Sequence, residues 1–157
     1  NEHISNSWSK ESITEAISEY DKNILVYLNE YLYAKSKSVK FDFAENVNIE
    51  HIMPASGRNI DIIRQDAGIY DKDEFNGIVN KLGNKILLEE DINKSISNEW
   101  FKTKKQSSIN NKSGYKDSKY VIAVELTNYF KDTWNKDDID TVTAMAAERI
   151  VKFIFNN

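Results

Sequence analysis

Apolar residues recur at steps of three and four near the start of the chain: Ile13, Ile17, Tyr20, Ile24, Leu28 and Tyr31. That spacing lines one face of a helix. It predicts a single amphipathic helix from about residue 10 to 34, with Ser12 and Glu15 in the pattern of a capping box. After the polar connector Lys35-Ser36-Lys37-Ser38, Phe41 and Phe43 anchor a short extended piece. The period then changes. Val47 to Met53 is rich in β-branched residues and predicts a strand, stopped by Pro54, the only proline. Residues 55–81 carry turn signals such as Ser56-Gly57 and Asn76-Gly77 and read as a long excursion with a short helix near 71–80. Gly83-Asn84 is a turn dipeptide, and Lys85 to Leu88 predicts a second strand.

Glu89, Glu90 and Asp91 then open a helical stretch that closes on Lys102 to Lys105, an order that suits the helix dipole. Ser107 to Gly114 is polar and loop-like. Val121 to Phe130 reads as a buried helix. A last helix begins at Asn135 or Lys136, with Ile139, Val142, Ala146, Ile150 and Phe153 on its inner face. The expected fold class is therefore α+β and predominantly helical: a strand–loop–strand–helix unit flanked by N- and C-terminal helices, in one domain spanning residues 1–157.

Composition narrows the picture without deciding it. The chain has 157 residues, 40% of them hydrophobic and 29% charged, which suits one soluble globular domain. No cysteine is present, so disulfides and thiolate metal sites are excluded. No apolar run is long enough to span a bilayer, and a cytoplasmic location without membrane contact is expected. The first residue is Asn1, so the chain is expected to be a piece of a longer polypeptide. The formal net charge of −4 runs against a dedicated nucleic-acid binder. The stretch from Phe101 to Lys119 opposes that total, with Lys102, Lys104, Lys105, Lys112, Lys116 and Lys119 against Asp117 alone. Phosphate contact follows local charge. Such a run is also what an ordinary solvated surface carries.

Candidate chemistry sits on the two strand segments. Glu50 supplies hard carboxylate oxygen, and His51, with an ordinary pKa of ~6.5, is largely neutral near physiological pH and can take a proton. Asn93 offers a neutral amide oxygen to an ion. Phosphodiester hydrolysis needs a base for water and a cation on the phosphate and leaving oxygens. Adjacent strand residues point to opposite faces, so Glu50 and His51 can share a site only where the strand ends, twists or bulges. A core histidine in a purely structural helical domain is the plain alternative.

The order of these residues resembles the HNH, or His-Me finger, nucleases. More closely, it resembles the C-terminal domain of GmrSD-type modification-dependent restriction endonucleases. The resemblance rests on Ile49-Glu50-His51-Ile52-Met53-Pro54, Leu82-Gly83-Asn84-Lys85-Ile86-Leu87-Leu88, Asn93, Ser97-Asn98 and Phe101-x-x-Lys104. It continues more weakly through Tyr115-x-x-Ser118, Trp134, Ile139 and Arg149.

The resemblance implies a ββα-metal hairpin-helix core holding one divalent ion, Mg²⁺ or alternatively Mn²⁺. His51 would be the general base, and Asn84 would brace the loop and help orient it. Glu50 and Asn93 would be metal ligands, Glu50 standing where many HNH enzymes carry aspartate. Lys104, with Lys102 and Lys105, would contact DNA. Arg149 is as suited to a structural ion pair. The implied activity is metal-dependent nicking or cleavage of DNA in restriction or phage defence, with a sensor or NTPase domain elsewhere in the polypeptide. No Gly-rich phosphate loop occurs in this chain. The alternative is a catalytically silent nucleic-acid or protein interaction domain on the same scaffold.

Overall fold

The computed structural model describes residues 10–19, 23–42, 46–106 and 113–156. Tyr20, Phe43, Lys112 and most of the predicted 107–114 loop lie outside the described residues. Two strands and eight α-helices are described: α1 (Lys10–Glu19), α2 (Ile24–Ser36), β1 (Val47–His51), α3 (Ile60–Asp66), α4 (Lys72–Val79), β2 (Lys85–Glu89), α5 (Glu90–Ile96), α6 (Phe101–Gln106), α7 (Val121–Leu126) and α8 (Lys136–Phe155). Short 3-10 turns at Leu82–Asn84 and Tyr115–Asp117 complete them. The fold is α+β and mostly helical. Among the described residues no helix is long and apolar enough to cross a membrane.

β1 and β2 form an antiparallel ladder, running from Val47 opposite Glu89 to His51 opposite Lys85. The ladder continues past β1 through Ile52 N–H, which donates to Asn84 O at 2.9 Å. β1 stops at His51, two residues earlier than Val47–Met53 predicts. The backbone N–H of Met53 is taken by the Asn84 side chain instead of a strand partner. β2 leads directly into α5, which packs on both strands. Lys85, Ile86, Leu87 and Leu88 are all buried, so β2 reads as a continuous apolar run because it has protein on both faces.

α8 packs along the 3-10 turn and against α1 and α2. Asn135 caps it, accepting from Asp137 N–H at 3.1 Å while the Asp138 carboxylate accepts from Asn135 N–H at 2.9 Å. Its buried face is Ile139, Thr143, Ala146, Ala147, Ile150 and Val151. Gly83 meets this helix at close range. A β-carbon there would lie 2.5 Å from Ile139 O and from Thr143 N. Glycine is needed for the approach, and Gly83 N–H donates to Thr143 Oγ1 at 2.9 Å.

The predicted first helix is two helices. The stripe through Ile24 and Tyr31 does not continue on the inner face, since both are exposed, and α2 buries Val26, Asn29, Glu30, Leu32 and Ala34 instead. The predicted helical stretch from Glu89 to Lys105 is also broken, with Ser97 at a φ of 45° between α5 and α6. A left-handed backbone residue ends a helix. The predicted 121–130 helix closes at Leu126, and Phe130 is exposed. Arg149 donates to Asn29 Oδ1 at 2.6 Å and covers the Tyr33 ring, tying α8 to α2.

Candidate active site

The end of β1 gathers several buried polar groups at one point. Glu50 is the buried residue of the strand. Its Oε2 meets the Lys104 ammonium from α6 at 2.9 Å and accepts from the Tyr115 hydroxyl at 2.7 Å. Both partners are fully buried. Lys104 also donates to the carbonyls of His51 at 2.9 Å and Ile52 at 3.2 Å, closing the backbone where the ladder ends. Burial pushes the Lys104 ammonium below its ordinary pKa, and the Glu50 carboxylate opposes that push. Burial, and then Glu50, hold the Tyr115 phenol well above its usual value, so it remains a donor.

His51 is half-buried and points toward different neighbours, as alternation along a strand requires. Its Nε2 lies 3.3 Å from Asn80 Oδ1, just beyond α4. Burial lowers the imidazole pKa below its ordinary value, while the Asn80 bond and Glu50 pull it back up. The ring is therefore neutral near physiological pH and able to accept a proton.

Asn84 is fully buried and uses its whole side-chain amide. Oδ1 accepts from Met53 N–H at 2.8 Å and Trp134 Nε1–H at 3.1 Å. Nδ2 donates to Met53 O at 3.0 Å and Val79 O at 2.9 Å. It ties the turn after β1 to the end of α4. Among the hydrogen bonds of the described residues, it is Asn80 and not Asn84 that meets the imidazole.

Glu50, His51 and Asn93 line one groove of about 340 Å³, together with Ser56, Lys94 and Asn98. Asn93 enters it from α5 and is half-buried. Two other cavities, of about 220 and 330 Å³, include none of Glu50, His51 and Asn93. Among the described residues no group of three or more histidines or acids gathers in a way that could hold a metal ion. The groove offers an ion a small oxygen donor set, the Asn93 amide and Glu50, with the His51 imidazole beside them. Tyr115 and Lys104 both meet Oε2 of Glu50. Oxygen donors of this kind, a carboxylate and an amide, are of the class that Mg²⁺ takes, with waters and substrate phosphate supplying the rest.

The expected DNA-contacting lysines separate sharply. Lys104 has no exposed surface and is occupied by Glu50 and two carbonyls, so a phosphate cannot reach it. Lys105 is buried as well. Its ammonium donates to Lys131 O at 2.8 Å and pairs with Asp132 at 3.0 Å. Of the three, only Lys102 is exposed. Sequence reasoning missed Asn80 altogether and underweighted Tyr115. Two signals pointed to Tyr115: its place in the family pattern, and the need of a buried glutamate for donors, which a tyrosine with its apolar body can supply.

Comparison with curated proteins gave no match, and comparison with solved structures gave none. The C-terminal domain of GmrSD restriction endonucleases matches residues 1–148. The chain belongs to that family, and membership implies a restriction-endonuclease domain acting on DNA.

Proposed function

We propose that this domain is an HNH-type endonuclease effector of the ββα-metal class, nicking or cleaving DNA by hydrolysis with His51 as general base. The observation that carries this reading is the convergence of Glu50, His51 and Asn93 on one groove from β1 and α5. The imidazole is neutral and held by Asn80, so it can take a proton from water attacking phosphorus in line. Positioned base catalysis contributes typically ~10²–10⁴ in rate. Asn93 and Glu50 would hold one divalent ion, Mg²⁺ first and Mn²⁺ as the alternative. When bound, that ion supplies positive charge for the phosphate and the departing oxygen. Lys104 and Tyr115 neutralise and fix Glu50 from behind. Lys102 and Lys94 are exposed cations available to the DNA backbone, Lys94 lining the groove while paired with Glu90 at 2.8 Å. In restriction or phage defence, the recognition step would belong to a sensor or NTPase domain of the same polypeptide.

The engagement of Glu50 by Lys104 favours one second reading, a catalytically silent interaction domain on the same scaffold. A supercoiled-plasmid nicking assay separates the two. Native protein is expected to nick with Mg²⁺ or Mn²⁺ and to stop with EDTA, and His51→Ala is expected to lose nicking while keeping its melting temperature and DNA affinity. Nicking that persists in His51→Ala removes the base assignment. A native protein that binds DNA and never nicks it establishes the silent reading.

A further inference from the structure

Asn80 lies in the long connection between the strands, to which the sequence assigns no chemistry. Its side chain touches two groups. Nδ2 donates to the backbone carbonyl of Asn76 at 2.9 Å, and Oδ1 faces His51 Nε2 at 3.3 Å. A carbonyl oxygen can only accept, so the Asn80 atom facing Asn76 must be the amide nitrogen. The atom left to face the imidazole is therefore an oxygen without a proton. It can bond Nε2 only when Nε2 carries the hydrogen.

On the reading of His51 as the general base, we propose that Asn80 is a positioning residue that fixes the neutral imidazole as its Nε2–H tautomer and makes Nδ1 the basic atom. Nδ1 then takes the proton from water, and the imidazolium that results keeps its Nε2–H aimed at the Asn80 oxygen. Partners of this kind set both the tautomer and the ring orientation of a working histidine. Asn84 supports the arrangement from both sides. Its Nδ2 holds the carbonyl of Val79, the residue before Asn80, and that of Met53, two residues beyond His51. The asparagine of the family pattern thus acts on the imidazole at one remove, through the backbone that carries the histidine and its partner.

The test is nitrogen-15 NMR of the imidazoles in the full chain at about pH 8, where an ordinary histidine is neutral. The chain has two histidines, so loss of one signal set in His51→Gln assigns the other. Native His51 is expected to show a protonated-type Nε2 and an unprotonated-type Nδ1. In Asn80→Ala the two shifts should converge toward tautomer-averaged values. Plasmid nicking by that variant should fall ~10- to 100-fold in kcat with KM unchanged, and Asn80→Asp, which retains an acceptor, should restore the tautomer. A native Nδ1–H tautomer, or an Asn80→Ala variant with unchanged shifts, overturns the assignment. The native spectrum needs neither a variant nor DNA. A native protein with the Nε2–H tautomer and no nicking activity would support the positioning role of Asn80 and overturn the nuclease reading alone.

Discussion

Lys104 carries its ammonium to within 2.9 Å of the Glu50 carboxylate, and no more than 5% of either side chain is exposed. A buried pair of this kind adds little over a well-packed apolar pair, yet breaking it strands a charge. Lys104→Met is therefore expected to lower the free energy of unfolding by about 3–5 kcal/mol, read by urea denaturation. Adding Glu50→Gln should recover part of the loss, because no uncompensated charge then remains. Lys102 is exposed and should behave oppositely. Lys102→Ala should leave stability within about 0.5 kcal/mol and reduce the salt slope of DNA binding by ~1. Equal stability losses in Lys102→Ala and Lys104→Met would contradict the separation of the two lysines.

Glu30 provides the pH dependence. It is almost fully buried in α2 and accepts from the Val121 and Ile122 N–H groups at the start of α7, at 3.1 and 3.2 Å. Burial raises its pKa to about 7 against an ordinary 4.5, with the two backbone bonds opposing. Because the folded value is the higher one, the folded state binds more protons than the unfolded chain between these pH values. The contribution of Glu30 to stability is full below about pH 4.5 and is lost as pH rises through about 7. The integrated change is about 3 kcal/mol. In Glu30→Gln that slope should disappear from the difference between variant and native urea midpoints measured at acid and alkaline pH. A native-minus-variant difference independent of pH would show that Glu30 does not titrate in this window.

Gly83→Ala tests the contact between the 3-10 turn and α8. The new methyl would meet the Ile139 carbonyl and the Thr143 amide, both backbone, at 2.5 Å. A backbone obstacle cannot swing aside as a side chain can, so the loss should reach about 1–3 kcal/mol or more, seen as a lowered melting temperature. Residual nicking should fall with it, since the turn carries Asn84. An unchanged melting temperature would mean that the turn can withdraw from α8 at no cost.

The readability of the chain followed the range of the forces involved. β1, β2, α4 and α8 were legible because local spacing, a proline stop, the turn signals between the strands and first-turn acids on α8 agree with their tertiary setting. The split between α1 and α2 was not, because the apolar stripe is continuous in sequence while the buried face shifts to Val26, Asn29 and Leu32. The order of Glu50, His51, Asn84 and Asn93 stood out in the sequence, and the groove brings Glu50, His51 and Asn93 together. What a lysine does was beyond reach, since Lys102, Lys104 and Lys105 look alike in a list and differ only in what surrounds them. Asn80 carried no signal at all. Its role comes from an approach across 29 residues of chain.

Several braces of this region come from later in the chain than the groups they hold. Tyr115 and Lys104 secure Glu50, Trp134 secures Asn84, and Thr143 secures the turn at Gly83. A ribosome releases the histidine long before it releases these partners. The two strands and Asn80 thus leave the ribosome before the side chains that close around Glu50 and Gly83.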